Sequence, residues 1–157
     1  MAQVTRVVAE FTMQLTAFVR SLLMGESMSK HLVFIYGSLR RGSHREMSIV
    51  FPDARFIAEA TVHGSLYDLG PYPGLILDGS NSIVTGEAYE VDDQLLEELD
   101  DFEESSNYHR KPVEISFAAE TRTGWTYEPN PEFYPLVIPI ASGDWIAYSQ
   151  KKKDPGQ

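Results

Sequence analysis

The sequence predicts an α+β fold that is rich in strands, and three observations support this prediction. Short apolar runs and alternating segments recur along the chain, turn residues separate them, and only one internal stretch has clear helical periodicity. A length of 157 residues, with 43% apolar and 23% charged residues, suits one globular domain that buries its own core.

The N-terminal residues predict an amphipathic helix ahead of the main domain. Apolar side chains recur every three or four positions over residues 4–23, which describes one face of a helix. Glu10 and Arg20 interrupt any apolar core, so the segment does not resemble a secretory signal. The helix could pack on the body or on a second subunit, lie on a membrane, or be an upstream extension. Its few basic residues favour packing or an extension.

These patterns divide the chain into three parts. Residues 1–30 are the predicted amphipathic extension, residues 31–150 the functional domain and residues 151–157 a basic tail. We expect the lysines of the tail to be solvated rather than to form a binding patch. A homodimer is one arrangement that would cover the apolar face of the extension.

The functional domain begins with a predicted buried strand. Residues 32–36 are apolar, and Gly37 ends the run and starts a turn that continues to Gly42. Loose alternation predicts a strand pair over residues 56–67, and glycines and prolines predict a turn over residues 70–74. The later predicted elements are a strand over 83–91 that Gly86 breaks, strands over 113–117 and 125–127, an irregular stretch over 129–139 and a terminal element from Ser142.

The one clear internal helix places a single acidic residue toward the core. Asp92 is the predicted N-cap, and four apolar residues then form one face of about 120°. These residues are Leu95, Leu96, Leu99 and Phe102. At about 100° per residue, Glu103 falls inside this face, while every other acidic residue from position 97 to 104 falls outside it.

The carboxyl group of Glu103 is therefore expected to have a raised pKa. Desolvation and the partial negative charge at a helix C-terminus both disfavour the carboxylate. A carboxyl group shifted in this way suits proton transfer near neutral pH. The alternative is that the end of the helix frays and Glu103 turns to solvent, and the helical wheel alone leaves both open.

Several other residues are candidates for a site, each with a simpler explanation. Glu87 alternates in phase with Tyr89, could face inward, and is the second choice for acid/base chemistry. The turn over 37–42 could aim N–H groups at an oxyanion, although its spacing alone favours an ordinary turn. Tyr108 and Arg110 would share one face of a strand. Arg110 could bind a substrate carboxylate or pair with a nearby acidic residue, and the sequence favours the pairing.

The composition excludes several classes of site and partner. No cysteine is present, so disulfides, thiolate metal sites and a cysteine nucleophile are excluded. The four histidines lack metal-ligand spacing, and Ser38 lacks the G-x-S-x-G setting of a serine nucleophile. A net charge of -10 repels nucleic acid and anionic lipid. No apolar stretch has the length of a membrane span.

Five segments recur in a fixed order along the domain. They are FIYGSL at 34–39, LYDLGPYPG at 66–74, GEAY at 86–89, LDDFE at 99–103 followed by Tyr108-His109-Arg110, and SGDW at 142–145. In this order they resemble the gamma-glutamylcyclotransferase-like family, which includes gamma-glutamylamine cyclotransferases, and the match extends over roughly residues 31–147.

The resemblance implies a compact fold around a small barrel-like sheet and a cytoplasmic enzyme that needs no metal or cofactor. The α-amine of a small γ-glutamyl substrate would attack its own γ-carbonyl, releasing 5-oxoproline and an amine. Glu103 would transfer the protons, and Tyr108 and Arg110 would shape the pocket. The backbone of four residues would hold the substrate's oxygens, and these residues are Tyr36, Gly37, Ser38 and Leu39.

One position departs from the family pattern. The family usually has glycine directly after the catalytic glutamate, and this chain has Glu104. The second carboxylate could raise the pKa of Glu103 further, or the turn after the helix could differ.

The sequence leaves two alternative functions open. One is a cyclotransferase for a larger γ-glutamyl amine, and the other is a non-catalytic module that binds small molecules.

Overall fold

The computed structural model describes residues 12–16, 19 and 29–153 of the chain. Residues 12–16 and 19 are helical with exposed side chains, in agreement with a helix in the predicted extension. The remainder of that predicted helix lies outside the described residues, as do residues 154–157 of the predicted tail. How the extension packs, and whether it joins two subunits, stays a prediction.

Residues 29–153 form a closed barrel, a small second sheet and three helices, which confirms the α+β prediction. The barrel order is β1-β5-β2-β6-β7, and the second sheet has the order β4-β3-β8. The strands are β1 (Lys30–Ile35), β2 (Arg55–His63), β3 (Ser65–Asp68), β4 (Pro73–Ile76), β5 (Ile83–Asp92), β6 (Tyr108–Phe117), β7 (Glu120–Pro129) and β8 (Ile138–Pro139). The helices are α1 (Met47–Val50), α2 (Asp93–Glu104) and α3 (Trp145–Lys153).

Strand β1 closes the barrel between two strands that come much later in the chain. It pairs antiparallel with β5, from Lys30 opposite Asp92 to Ile35 opposite Glu87, and it meets β7 in parallel where Val33 lies opposite Trp125. The turn after β1 is therefore held at a fixed place beside β5 and β7.

The prediction that Gly86 breaks its strand is wrong, because β5 runs without interruption from Ile83 to Asp92. A side chain at position 86 would collide with the carbonyl oxygen of Ile35 and with the ring of Phe34. The glycine lets β1 and β5 approach closely instead of ending the strand.

Side chains of the barrel strands alternate between two buried clusters. In β1, Val33 and Ile35 belong to a cluster shared with the apolar face of α2, whereas Phe34 belongs to a cluster with residues of β2, β5 and β6. This period of two is what a strand buried on both faces requires. The catalytic candidate on α2 is thus supported by the first cluster.

Other elements differ from their predicted form. The predicted pair over residues 56–67 consists of two strands, but β2 belongs to the barrel and β3 to the second sheet. The turn predicted over 70–74 is shorter, since β4 begins at Pro73. Helix α3 continues through Lys153, and Lys152 forms an ion pair with Asp68 at 3.0 Å. The first lysines of the predicted tail therefore belong to the folded domain.

None of the helices within the described residues has the length and apolar character needed to cross a membrane.

Candidate active site

A partly open cavity of about 100 Å³ lies between the turn after β1 and the end of α2. The turn contributes Tyr36–Leu39, and the helix contributes Phe102 and Glu103. The remaining polar and aromatic residues of its wall are Phe34, Arg45, Tyr72, Ser105, Ser106, Tyr108 and Tyr127. A partly enclosed, largely aromatic cavity with a few polar groups is typical of a small-molecule site.

Helix α2 brings Glu103 to this cavity. The Asp92 side chain caps the helix by accepting a hydrogen bond from the backbone N–H of Leu95 at 2.8 Å. Leu95, Leu96 and Leu99 are buried against the barrel, and this anchors one face of the helix. Glu103 is on the same face and lines the cavity, as the helical wheel predicted, whereas its neighbour Glu104 is exposed.

The Glu103 carboxyl group is poised to gain or lose a proton near neutral pH. Burial raises the pKa of Glu103 from 4.5 to about 7, although the positive charge of Arg45 opposes the rise. Among the described residues, none donates a hydrogen bond to this carboxyl group or forms an ion pair with it. Its oxygens are therefore available to a ligand.

The turn after β1 presents three N–H groups that have no acceptor among the described residues. A hydrogen bond from Arg40 N to Gly37 O, 3.0 Å, and one from Met47 N to Leu39 O, 2.8 Å, fix its shape. No hydrogen bond within residues 29–153 uses the backbone N–H of Gly37, Ser38 or Leu39 as donor. Successive free N–H groups at a cavity wall can bind a negatively charged oxygen.

Two buried tyrosines brace the cavity wall. The Tyr36 hydroxyl donates to Tyr127 O at 2.6 Å and accepts from Leu75 N at 3.1 Å. The Tyr108 hydroxyl donates to Pro73 O at 2.7 Å. Burial raises the pKa of both phenols well above the ordinary value, so they remain protonated donors.

The structure does not bring Arg110 into the cavity. It shares a strand face with Tyr108, as expected, but its Nε lies 3.5 Å from the Asp100 carboxylate and its guanidinium covers the Trp125 ring at 4.4 Å. This is the acidic pairing that the sequence favoured. The role of Arg110 in substrate binding stays a prediction.

Glu87 faces inward as predicted but lies outside the cavity lining. Its buried carboxylate accepts hydrogen bonds from Arg41 N at 3.0 Å and from the Tyr89 hydroxyl at 2.9 Å. Arg40 approaches the same carboxylate and also binds Asp144 at 2.8 Å. Because its oxygens are occupied, Glu87 supports the turn after β1 rather than offering a base to a ligand.

Sequence reasoning missed several residues of the lining, among them Arg45, Tyr72, Ser105, Ser106 and Tyr127. Arg45 follows an irregular turn and the two serines follow the helix end, where no periodicity indicates which way a side chain points. Tyr72 lies inside the LYDLGPYPG segment, whereas Arg45 and the serines are marked only by their proximity to the FIYGSL and LDDFE segments.

Comparison with known proteins identifies the family of the domain that contains this cavity. The sequence model named "Gamma-glutamyl cyclotransferase, AIG2-like" matches residues 33–147, a range that contains every residue lining the cavity. The chain belongs to the gamma-glutamylcyclotransferase family. The resemblance in the five segments is thereby confirmed.

Two sequence relatives of this gamma-glutamylcyclotransferase-family protein align with most of their length. It is 38% identical over 117 residues to a provisionally named gamma-glutamylcyclotransferase of Vibrio cholerae, covering 74% of this chain and 96% of that one. It is 33% identical over 127 residues to the gamma-L-glutamyl-butirosin B gamma-glutamyl cyclotransferase of Niallia circulans, covering 74% and 76%.

Solved structures of the gamma-glutamylcyclotransferase family share the fold. YkqA from Bacillus subtilis superposes with a TM-score of 0.66 at 26% identity, covering 80% of this chain and 43% of that longer one. An AIG2-like protein from mouse superposes with a TM-score of 0.57 at 28% identity, covering 71% and 88%.

Proposed function

We propose that the protein releases 5-oxoproline from a γ-glutamyl compound, with Glu103 as the general acid/base. Family membership supports a cyclotransferase. The observation that carries the proposal is the Glu103 carboxyl group, unpaired among the described residues, with a pKa of about 7, in the same cavity as the free N–H groups of Gly37, Ser38 and Leu39.

In the proposed reaction, Glu103 first acts as a base. Its carboxylate takes a proton from the substrate's α-ammonium group, and the freed amine nitrogen attacks the γ-carbonyl carbon to close a five-membered ring. Nucleophile and electrophile belong to one molecule, so the cavity needs only to select a bent conformation in which they meet. A pKa near 7 lets Glu103 be ionised for this step and protonated for the next.

Ring closure places a negative charge on the former carbonyl oxygen. The backbone N–H groups of Gly37, Ser38 and Leu39 would stabilise this oxyanion and hold a carboxylate oxygen of the substrate. Glu103, now protonated, would give its proton to the leaving nitrogen as the oxyanion collapses and the carbon–nitrogen bond breaks. The ring nitrogen, which still carries one proton more than the lactam product, would release that proton to solvent. The products are 5-oxoproline and the free amine, and the carboxylate of Glu103 is restored.

The cavity favours neither a small nor a bulky leaving group. It is partly enclosed but has an open mouth, so an amine could extend into solvent. One relative is named for action on the γ-glutamyl group of butirosin B. A substrate panel should therefore run from γ-glutamyl amino acids to γ-glutamyl groups on larger amines, including a lysine side chain.

The test measures 5-oxoproline release across this panel by wild type, Glu103→Gln and Glu104→Gln. The Gln side chain at position 103 cannot take a proton, so its rate should fall on the order of 10²- to 10⁴-fold. Glu104→Gln removes the same charge one position away on an exposed side chain and should keep the wild-type rate.

A Glu103→Gln protein that turns over at the wild-type rate would remove the acid/base assignment. Binding of a γ-glutamyl compound without release from any member of the panel would favour the alternative function, a non-catalytic module of the same fold.

A further inference from the structure

The lining of the cavity consists of a buried floor and a more exposed rim. Buried residues of β1, β6 and β7 form the floor. The rim includes Arg45, Tyr72, Ser105 and Ser106, which are half-buried or exposed. A leaving group that extends from the reacting carbon toward solvent must therefore pass these residues.

Tyr72 brings an aromatic ring to the rim. The loop between β3 and β4 fixes its backbone, because Leu69 N donates to Tyr72 O at 3.0 Å and Gly70 N donates to the Asp68 carboxylate at 2.8 Å. Its hydroxyl has no hydrogen-bond partner within residues 29–153, whereas the buried tyrosines of the floor all donate to acceptors of the protein. The Tyr72 side chain is therefore available to a ligand.

Tyr134 continues the aromatic surface beside Tyr72. Its hydroxyl donates to Ser106 O at 2.7 Å, and its ring centre lies 5.7 Å from that of Tyr108 in the floor. Burial raises the pKa of Tyr134 and the phenol of Tyr72 adds to the rise, so the two hydroxyls are near each other. Tyr134 thus adjoins the rim although it is outside the lining.

Phe133 extends this surface into solvent. The residue is 59% exposed, and its ring meets the Tyr134 ring edge to face at 4.8 Å. The backbone N–H groups of both residues donate to Asn130 O at 3.0 Å, and Asn130 N donates to Asn107 O at 2.9 Å, so a fixed turn carries the ring. One exposed phenylalanine is ordinary on a protein surface, but this one continues a row of rings that begins in the cavity.

We propose that Tyr72, Tyr134 and Phe133 form a subsite for the leaving group, and that the enzyme prefers γ-glutamyl compounds whose amine carries an uncharged aromatic ring. This inference rests on the proposed function. A ligand ring would gain apolar burial and edge-to-face or offset contacts, which stabilise aromatic pairs beyond the area that they bury.

A cationic amine fits this subsite less well. Aromatic rings also attract cations. Arg45, however, places a positive charge on the same rim, and this charge would repel a second cation. A saturated apolar group would be buried equally but would lack the contacts between rings.

The experiment measures kcat/KM for three substrates that share the γ-glutamyl group: γ-glutamyl-benzylamine, γ-glutamyl-cyclohexylmethylamine and γ-glutamyl-methylamine. Wild type should prefer the benzyl compound to both others. Phe133→Ala should lower the ratio of benzyl to methyl activity roughly 5- to 30-fold and leave the methyl compound unchanged. Differences in the intrinsic reactivity of the substrates cancel when the two proteins are compared.

Val137→Ala is the matched control. Val137 is 72% exposed and lies on the same connection between β7 and β8, but no ring contact joins it to the subsite within the described residues. This variant should keep the wild-type ratios, and thermal unfolding checks that both variants are folded. Equal activity of wild type on the benzyl and cyclohexylmethyl compounds would refute the preference for an aromatic ring.

Equilibrium binding separates the failure of this inference from the failure of the proposed function. Affinity for the benzyl and methyl compounds is measured with Glu103→Gln alone and combined with Phe133→Ala. Tighter binding of the benzyl compound that Phe133→Ala abolishes, without 5-oxoproline release by wild type, would support the subsite and refute the reaction. Release with the same ratio in wild type and Phe133→Ala would refute the subsite and keep the reaction. The absence of both release and this difference in binding would refute both.

Discussion

Two adjacent glutamates at the end of α2 show how surroundings set the chemistry of a residue. Glu103 lines the cavity, where burial raises its pKa to about 7, while Glu104 is exposed at the last helical position. The helix stays right-handed through Ser105, and the left-handed conformation falls at Asn107 with φ of 63°. Glutamate at position 104 therefore needs no unusual backbone conformation.

The pKa of Glu103 predicts how activity depends on pH. The proposed first step needs the carboxylate, so kcat/KM should rise as pH increases through about 7 and level off above it. Because burial is the cause, Glu104→Gln should leave this midpoint unchanged. A pH–rate profile checks this, and a midpoint at the ordinary glutamate value of 4.5 would contradict it.

At the scale of single residues, the sequence predicts that Glu103 faces the core but does not predict that Arg45 lines the cavity. The helix repeats its geometry from Asp92 onward, so the direction of Glu103 can be calculated from its spacing to Leu99 and Phe102. Arg45 lies in a turn without such a repeat, so its place in the cavity lining cannot be calculated from its spacing to other residues.

At the scale of single elements, β5 and the turn after β1 act as one unit. Glu87 of β5 accepts the N–H of Arg41, and Arg40 joins Glu87 to Asp144 near the start of α3. Three segments thereby fix the turn that carries the free N–H groups. The sequence predicts that Glu87 faces inward, because the alternation of side chains along a strand fixes which face a residue is on. Alternation does not predict the hydrogen-bond partners of Glu87.

Replacing Glu87 with Gln should weaken this support without changing the acid/base group. The substitution turns charge-assisted hydrogen bonds into neutral ones in a buried place, which should lower the free energy of unfolding by about 1 to 3 kcal/mol. Catalytic efficiency should fall because the turn is less well held, while the midpoint of the pH–rate profile should stay where Glu103 sets it.

Chemical denaturation of Glu87→Gln measures its free energy of unfolding, and a pH–rate profile measures the midpoint of its activity. A shift of the acid midpoint with stability unchanged would mean that Glu87 takes part in proton transfer. In that case Glu87, the second choice for acid/base chemistry from the sequence, would be the better candidate for the acid/base group.

At the scale of the whole molecule, the sequence predicts the fold class but not the order of strands in the barrel. Apolar runs and alternation identify β1, β2 and β6, yet nothing local states that β1 lies between β5 and β7. Those pairings join positions far apart in the chain. Gly86 illustrates this limit. From the sequence alone a glycine inside a strand suggests a break, and only the nearby backbone of β1 shows that Gly86 allows the two strands to approach closely.

The close approach of β1 and β5 predicts that Gly86→Ala destabilises the barrel. The added methyl group would meet the carbonyl oxygen of Ile35, and backbone cannot move aside as a flexible side chain can. We expect a loss of about 1 to 3 kcal/mol in the free energy of unfolding, as for overpacked cores. Thermal and chemical unfolding measure it, with Thr85→Ala as a neighbouring control, and equal stability of the two variants would contradict the prediction.

Barrel closure also sets the moment in protein synthesis at which the candidate active site can first be complete. The ribosome makes β1 and its turn early, but their partner β5 and the helix with Glu103 follow much later, and Trp125 of β7 later still. Tyr127, part of the cavity wall, also comes from this last barrel strand. A nascent chain therefore carries the turn for a time without Glu103, and the cavity can be complete only after Tyr127 has been made.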